Sequence, residues 1–167
     1  PVIDLVTHKI ISAESLIRWT SPGLSNNKIF EHISIIEKSK YIIDFTNNTF
    51  IALVTFLQAN KDLFPKNFKI SFNLSQAVFK WDEFNLVNMI ESGIKAFPNL
   101  ASYLIVEITE SAYFSKSISN KVIFAMATIK ELGLQIAIDD FGSGYGELKL
   151  ISYNISDIIK LDREITQ

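Results

Sequence analysis

Cysteine is absent from this 167-residue chain. That leaves no disulfide and no thiolate metal site, and it fits a reducing compartment. Histidine is scarce. His8 and His32 lie far apart and outside any metal-ligand spacing, so each reads as a surface or turn residue. A metal site here must use oxygen ligands, which favours Mg²⁺, Mn²⁺ or Ca²⁺ over zinc. No apolar run reaches the ~18 residues that would span a bilayer, so no membrane contact is expected from this segment. A dominant charge is lacking too. Sixteen Lys and Arg against eighteen Asp and Glu leave a net charge of −2. With no basic stripe, binding to long nucleic acid by backbone neutralisation is not expected. A small phosphorylated ligand fits, provided metal ions supply positive charge.

What is present is a core. Hydrophobic residues make up 48% of the chain and thirteen are Phe, enough for one globular domain and too many for a disordered one. Strand-like runs occur at Val2–Leu5, Ile10–Arg18, Lys69–Leu74, Tyr103–Thr109, Leu134–Ile138 and Asp157–Leu161. Helical periodicity occupies Lys28–Ser39, Asp44–Asn60, Asp82–Phe97, Ser117–Leu132 and Gly146–Ser152. Phe45, Phe50, Leu53, Val54 and Leu57 form the core stripe of the second helix. Gly133 sits where a helix C-terminal cap is wanted. Strand–helix alternation without repeat or linker implies an α/β fold with parallel strands covered by helices.

The densest chemistry lies in Asp139-Asp140-Phe141-Gly142-Ser143-Gly144-Tyr145. It reads as the end of a buried strand opening into a glycine-rich loop. Adjacent carboxylates repel, and a bound cation keeps both ionised. The plain alternative is a solvated turn. Against it, polar residues recur near the ends of the other strand candidates: Glu14, Asn73, Glu107 and Lys160. Asn73 and Glu107 are 34 positions apart, and Glu107 and Asp139 are 32 apart, close to one strand–helix unit each. In parallel α/β folds catalytic groups gather at the C-terminal strand ends.

These residues resemble a family pattern in order and context. Glu14-Ser15-Leu16-Ile17-Arg18-Trp19 is similar to the E-A-L-x-R-W signature of EAL domains. Ser71-Phe72-Asn73-Leu74-Ser75, Val106-Glu107-Ile108-Thr109-Glu110-Ser111, Asp139 to Tyr145, and Lys160-Leu161-Asp162-Arg163 resemble its S-x-N-L-S, E-I-T-E-S, D-D-F-G-T-G-Y and K-I-D-R. The resemblance covers the chain from end to end. It implies a TIM-like (β/α)8 barrel whose first strand is antiparallel, here with about six strands. It also implies a bacterial phosphodiesterase that opens cyclic di-GMP to linear pGpG with Mg²⁺ or Mn²⁺ at a two-metal site, Ca²⁺ being a candidate inhibitor. Residues 1–167 would be a partial domain, lacking its extreme N-terminus and last two strand–helix units, because both ends read as cut. The location implied is cytoplasmic, as a free protein or as the cytoplasmic part of a membrane-anchored one. An EAL homodimer and an attached sensory or GGDEF domain are partners that the family admits.

By the same resemblance Glu14, Asn73, Glu107 and Asp139 hold one ion, and Asp139 bridges to a second that Asp140 also ligates. Lys160, as a catalytic residue with Glu14, contacts or deprotonates the attacking water, which calls for a pKa depressed by the neighbouring metals. Arg18 and Leu16 meet the substrate, Arg18 through a phosphate. Asp162 orients Lys160. Glu37 supports the loop over the aspartates, with Glu110, Gly142, Ser143 and Gly144 as further loop or supporting residues. The structural alternatives are an ion pair for Arg18, a solvated strand-end Lys160, and helix caps or pairs with neighbours for Glu110 and Asp162. Ser15 and Ser143 replace the family's alanine and threonine. Lys40 stands where a glycine is usual, which questions the loop geometry there. The competing function is a non-catalytic member that senses cyclic di-GMP or docks a partner. An unrelated Mg²⁺-dependent barrel enzyme acting on another phosphate ester is a third.

Overall fold

A computed structural model describes residues 1–18, 28–82, 84–109, 116–142 and 154–165. Among these residues six strands form one curled sheet in chain order: β1 (Val2–Ile3), β2 (Ile10–Ser15), β3 (Lys69–Leu74), β4 (Leu104–Thr109), β5 (Gln135–Phe141) and β6 (Ile158–Leu161). β1 runs antiparallel to β2, and every later pairing is parallel. The β1–β2 turn is tied by Asp4 Oδ1, which accepts from the amides of Val6 (3.1 Å) and Thr7 (2.6 Å). The parallel crossovers carry helices α1 (Ile29–Ile36), α2 (Tyr41–Asn60), α3 (Leu86–Ala96), α4 (Leu100–Tyr103) and α5 (Lys116–Glu131).

Strand alternation sorts the sheet into two faces. Ile70, Phe72 and Leu74 of β3, Leu104, Val106 and Ile108 of β4, and Ile136 of β5 pack into the hydrophobic core. The helices meet them with 3.6-residue stripes: Phe50, Leu53, Val54 and Leu57 of α2, and Val122, Ala125, Met126 and Ile129 of α5. Phe50 stands edge-on to Phe72, ring centroids 5.5 Å apart. Each fully buried Leu or Ile contributes about 1.5–3 kcal/mol. The opposite face is set by register. Glu14 pairs with Ser71, Ser71 with Ile105, Asn73 with Glu107, and Glu107 with Ala137. Asp139 lies two residues past Ala137. Lys160 lies two past Ile158, itself paired with Ala137. All these residues therefore share the concave side.

Several boundaries differ from the sequence reading. β5 continues through both aspartates to Phe141 instead of ending at Ile138. β2 ends at Ser15 rather than Arg18. The third helix starts at Leu86, because Asn85 Oδ1 accepts from Asn88 N (3.0 Å) and caps it there. Residues 100–103, assigned partly to a strand, form a one-turn helix. Gly133 caps α5 as expected, with φ +89° and its amide bonded to Lys130 O. Lys40 has φ −64°, an ordinary right-handed value; the backbone there makes no demand for glycine. The helix expected at Gly146–Ser152 lies outside the described residues, as do Trp19, Glu110, Ser111, Ser143, Gly144 and Tyr145.

Candidate active site

The strand ends bring four charged groups together. Lys160 Nζ lies 3.0 Å from Glu107 Oε2, 2.9 Å from Asp139 Oδ1 and 3.9 Å from Glu14 Oε2. One oxygen from each of Glu14, Glu107 and Asp139 falls within 4.8 Å of the other two, a group able to hold a metal ion. Asn73 joins them, its Nδ2 donating to Glu14 Oε1 at 2.7 Å. The donor set is all oxygen and mostly anionic, which fits a hard divalent cation.

Electrostatics in the cluster are crowded. Glu107 is buried, with 5% of its surface exposed. Burial pushes its carboxyl above the ordinary value, while hydrogen bonds from Lys160 and Ser71 pull it partly back. Asp140 is also raised, by burial first and then by the charges of Asp139 and Asp162. For Lys160, burial favours the neutral amine, but hydrogen bonds to Asp139 and Glu107 outweigh it and hold the ammonium above its usual range. The depressed value expected from sequence belongs to Lys160 beside bound metal ions; among the carboxylates alone the ammonium is held up. The reason is its setting among carboxylates, and a cation among those oxygens would act in the opposite direction.

Asp140 solves a geometric problem. Alternation along a strand sends adjacent side chains to opposite faces. Asp140 instead adopts φ +55°, and the β5–β6 register shifts between Ile138 and Phe141. Aspartate tolerates this left-handed conformation better than most residues, at a cost on the order of 1–2 kcal/mol. The result is that both aspartates line the same cavity.

That cavity has a volume of about 500 Å³. Glu14, Asn73, Glu107, Asp139 and Asp140 form its acidic end, and Leu16, Phe30, Ile33 and Phe45 its apolar end. Arg18 lines it too, with Nη1 donating to Ile17 O at 2.8 Å. Glu37 Oε1 accepts from Ser75 Oγ at 2.6 Å, so the end of α1 is tied to the end of β3. Asp162 Oδ1 accepts from Glu164 N at 2.7 Å and caps the turn after β6; Lys160 is held by Glu107 and Asp139 instead. Ser71 and Ser75 received no role from sequence. Their spacing of two about Asn73 was the available signal, since alternation along β3 and the extended residue after it sends all three to one side.

A curled, mainly parallel sheet with an antiparallel first strand is the architecture of a TIM-like barrel, and the acids at its C-terminal edge form a cluster able to bind a metal. The chain matches the EAL domain family over residues 1–167 and belongs to it. It is 27% identical over 172 residues to the cyclic di-GMP phosphodiesterase PdeL of Escherichia coli (strain K12), covering 100% of this chain and 45% of that protein. It is 30% identical over 163 residues to the uncharacterized protein y4lL of Sinorhizobium fredii (strain NBRC 101917 / NGR234), covering 98% of this chain and 19% of that one. The chain thus spans less than half the length of both relatives. Among solved structures it resembles the PaMucR phosphodiesterase in its c-di-GMP complex. The TM-score is 0.75 at 23% identity, over 90% of this chain and 60% of the other, a likeness of fold. Among the described residues no helix is long and apolar enough to cross a membrane.

Proposed function

We propose that the protein is a metal-dependent phosphodiesterase that hydrolyses cyclic di-GMP to linear pGpG, using Mg²⁺ or Mn²⁺. The observation that carries this is the convergence of Glu14, Glu107 and Asp139 within 4.8 Å, in a chain of the EAL family. Residues 1–167 are taken as part of such a domain, and the activity proposed is that of the complete protein.

Glu14, Asn73, Glu107 and Asp139 would hold one ion, with Asp139 and Asp140 serving a second. Bound there, divalent cations lower the pKa of water and neutralise phosphoryl oxygens. The protein's own groups do the rest. Lys160 holds a proton at Nζ between Glu107 and Asp139, where it can hydrogen-bond an attacking water. Arg18, at the cavity wall, presents a fork suited to two phosphate oxygens. Leu16, beside it, gives an apolar surface for the ligand. Ser71 orients the Glu107 carboxylate, and the Glu37–Ser75 bond fixes the segment after Asn73.

A second reading is a non-catalytic sensor of the same dinucleotide. It is favoured by the Lys160 ammonium, which already pairs with two of the three carboxylates at close range. The experiment is product analysis of the complete protein incubated with cyclic di-GMP and Mn²⁺. Linear pGpG is expected. Retention of intact cyclic di-GMP by folded protein would move it to the sensor class.

A further inference from the structure

We propose that Ile165 is a positioning residue for the Asp139–Asp140 carboxylates, acting through Gly142. The consequence for catalysis rests on the phosphodiesterase reading above; the structural coupling does not.

Gly142 has φ +105°, a region that side-chain-bearing residues rarely adopt. A Cβ at Gly142 would lie 1.5 Å from Ile165 Cδ1 and 2.8 Å from Ile165 Cγ1. The Ile165 side chain thus fills the space that any other residue at position 142 would need. A tight turn delivers it there. Asp162 Oδ1 accepts from Glu164 N (2.7 Å), and Ile165 N donates to Asp162 O (3.1 Å). The same turn is joined to β5 by Asp162 N donating to Phe141 O at 2.9 Å. One backbone bond and one apolar seat therefore hold residues 141–142 against 162–165.

The place of this latch gives it a purpose. It lies immediately beyond Asp139 and Asp140 on β5 and just beyond Lys160 on β6. The left-handed Asp140 and the register shift between Ile138 and Phe141 are directly upstream. An unfavoured backbone conformation persists only where its surroundings over-determine it. The latch fixes the downstream side, as the β4–β5 ladder fixes the upstream side. Ile165 is 50% exposed. Its truncation therefore opens no core cavity, and its effect is local rather than global.

The test compares the complete protein with Ile165→Ala by amide hydrogen exchange and Mn²⁺ titration. Exchange at the Asp162 amide is expected to speed up by about tenfold, while β4 amides keep their protection. The Mn²⁺ half-saturation concentration is expected to rise by about tenfold, in the range of other outer-shell changes. kcat should fall with KM for the dinucleotide unchanged, and Ile165→Val should restore most of both. Unchanged exchange at Asp162 would overturn the proposal. So would unchanged Mn²⁺ half-saturation alongside faster exchange. If Ile165→Ala does not fold, Ile165→Thr carries the same comparison. Should the wild type neither bind Mn²⁺ nor cleave the dinucleotide, the phosphodiesterase reading fails, and exchange at Asp162 alone still decides the latch.

Discussion

Asp157 and Lys160 stand at opposite ends of the same short strand, and their surroundings differ in charge balance. Asp157 Oδ1 is paired with Lys130 Nζ at 3.0 Å, and Oδ2 accepts from Ile136 N at 2.9 Å. The Asp157 amide returns a bond to Ile136 O at 2.8 Å. Lys69, nearby, has its ammonium lowered by burial and supported by Asp157. At this end one carboxylate meets two ammonium groups and the backbone, so the arrangement is a staple between β5 and β6. At the other end, among the described residues, one ammonium faces three carboxylates. A surplus of buried negative charge costs stability unless a cation offsets it. An excess of carboxylates therefore marks the functional end, and a carboxylate satisfied by ammonium groups and backbone marks the structural end.

The largest effect expected on this contrast is at Lys160. Lys160→Ala should lower turnover by about a hundredfold or more, the range for a group acting on a proton in flight. Binding of the dinucleotide should change little, because the loss falls in the transition state. Parallel measurements of kcat and of dissociation constant check this; equal losses in both would make Lys160 a substrate-binding group.

A smaller effect, of a different kind, is expected at the structural end. Asp157→Asn should cost about 1 kcal/mol in urea unfolding, a charged hydrogen bond discounted for its partial exposure. Its turnover should stay within about twofold of wild type, less than 0.5 kcal/mol in barrier height. Loss of turnover without loss of stability would erase the distinction between the two ends.

The smallest effect concerns pH. Burial raises the Glu107 carboxyl above its ordinary value of 4.5, against weaker lowering by Lys160. The folded state thus favours the protonated acid. This group's contribution to stability is full below pH 4.5 and declines as pH rises through its folded value. Glu107→Gln removes the decline while removing a ligand. In metal-free protein, the variant's thermal midpoint relative to wild type should rise by about 2 °C between pH 4.5 and 7. Calorimetry in chelator measures it. A relative midpoint that falls over that interval would mean that Lys160, not burial, controls this carboxylate.

Much of the fold was legible because the pattern of apolar residues encodes it. Short apolar runs at Lys69–Leu74 and Tyr103–Thr109 marked strands, and the stripe from Phe50 to Leu57 marked a helix packed on the core. The clustering of Glu14, Asn73, Glu107, Asp139 and Lys160 followed from their places near parallel strand ends. What escaped the sequence depends on local backbone geometry or on contacts between distant segments. The left-handed Asp140 has no signature in hydrophobic periodicity, so β5 was read as ending three residues early. The start of α3 was set by a side-chain cap at Asn85, which competes with the periodic pattern. The upward Lys160 shift depends on hydrogen bonds to Asp139 and Glu107, and composition does not encode them. Ser71 was visible as part of a motif, yet its bond to Glu107 required knowing that both strands present those positions to one face.

The central claim is that the acidic end of the sheet is a divalent cation site and the Asp157 end is not. Calorimetric titration of Mn²⁺ into the complete protein tests it most directly, with Asp139→Asn and Asp157→Asn compared with wild type. The account predicts binding by wild type and Asp157→Asn with similar affinity, and at least about tenfold weaker binding by Asp139→Asn. Undiminished binding by Asp139→Asn, or no binding by folded wild type, would contradict it.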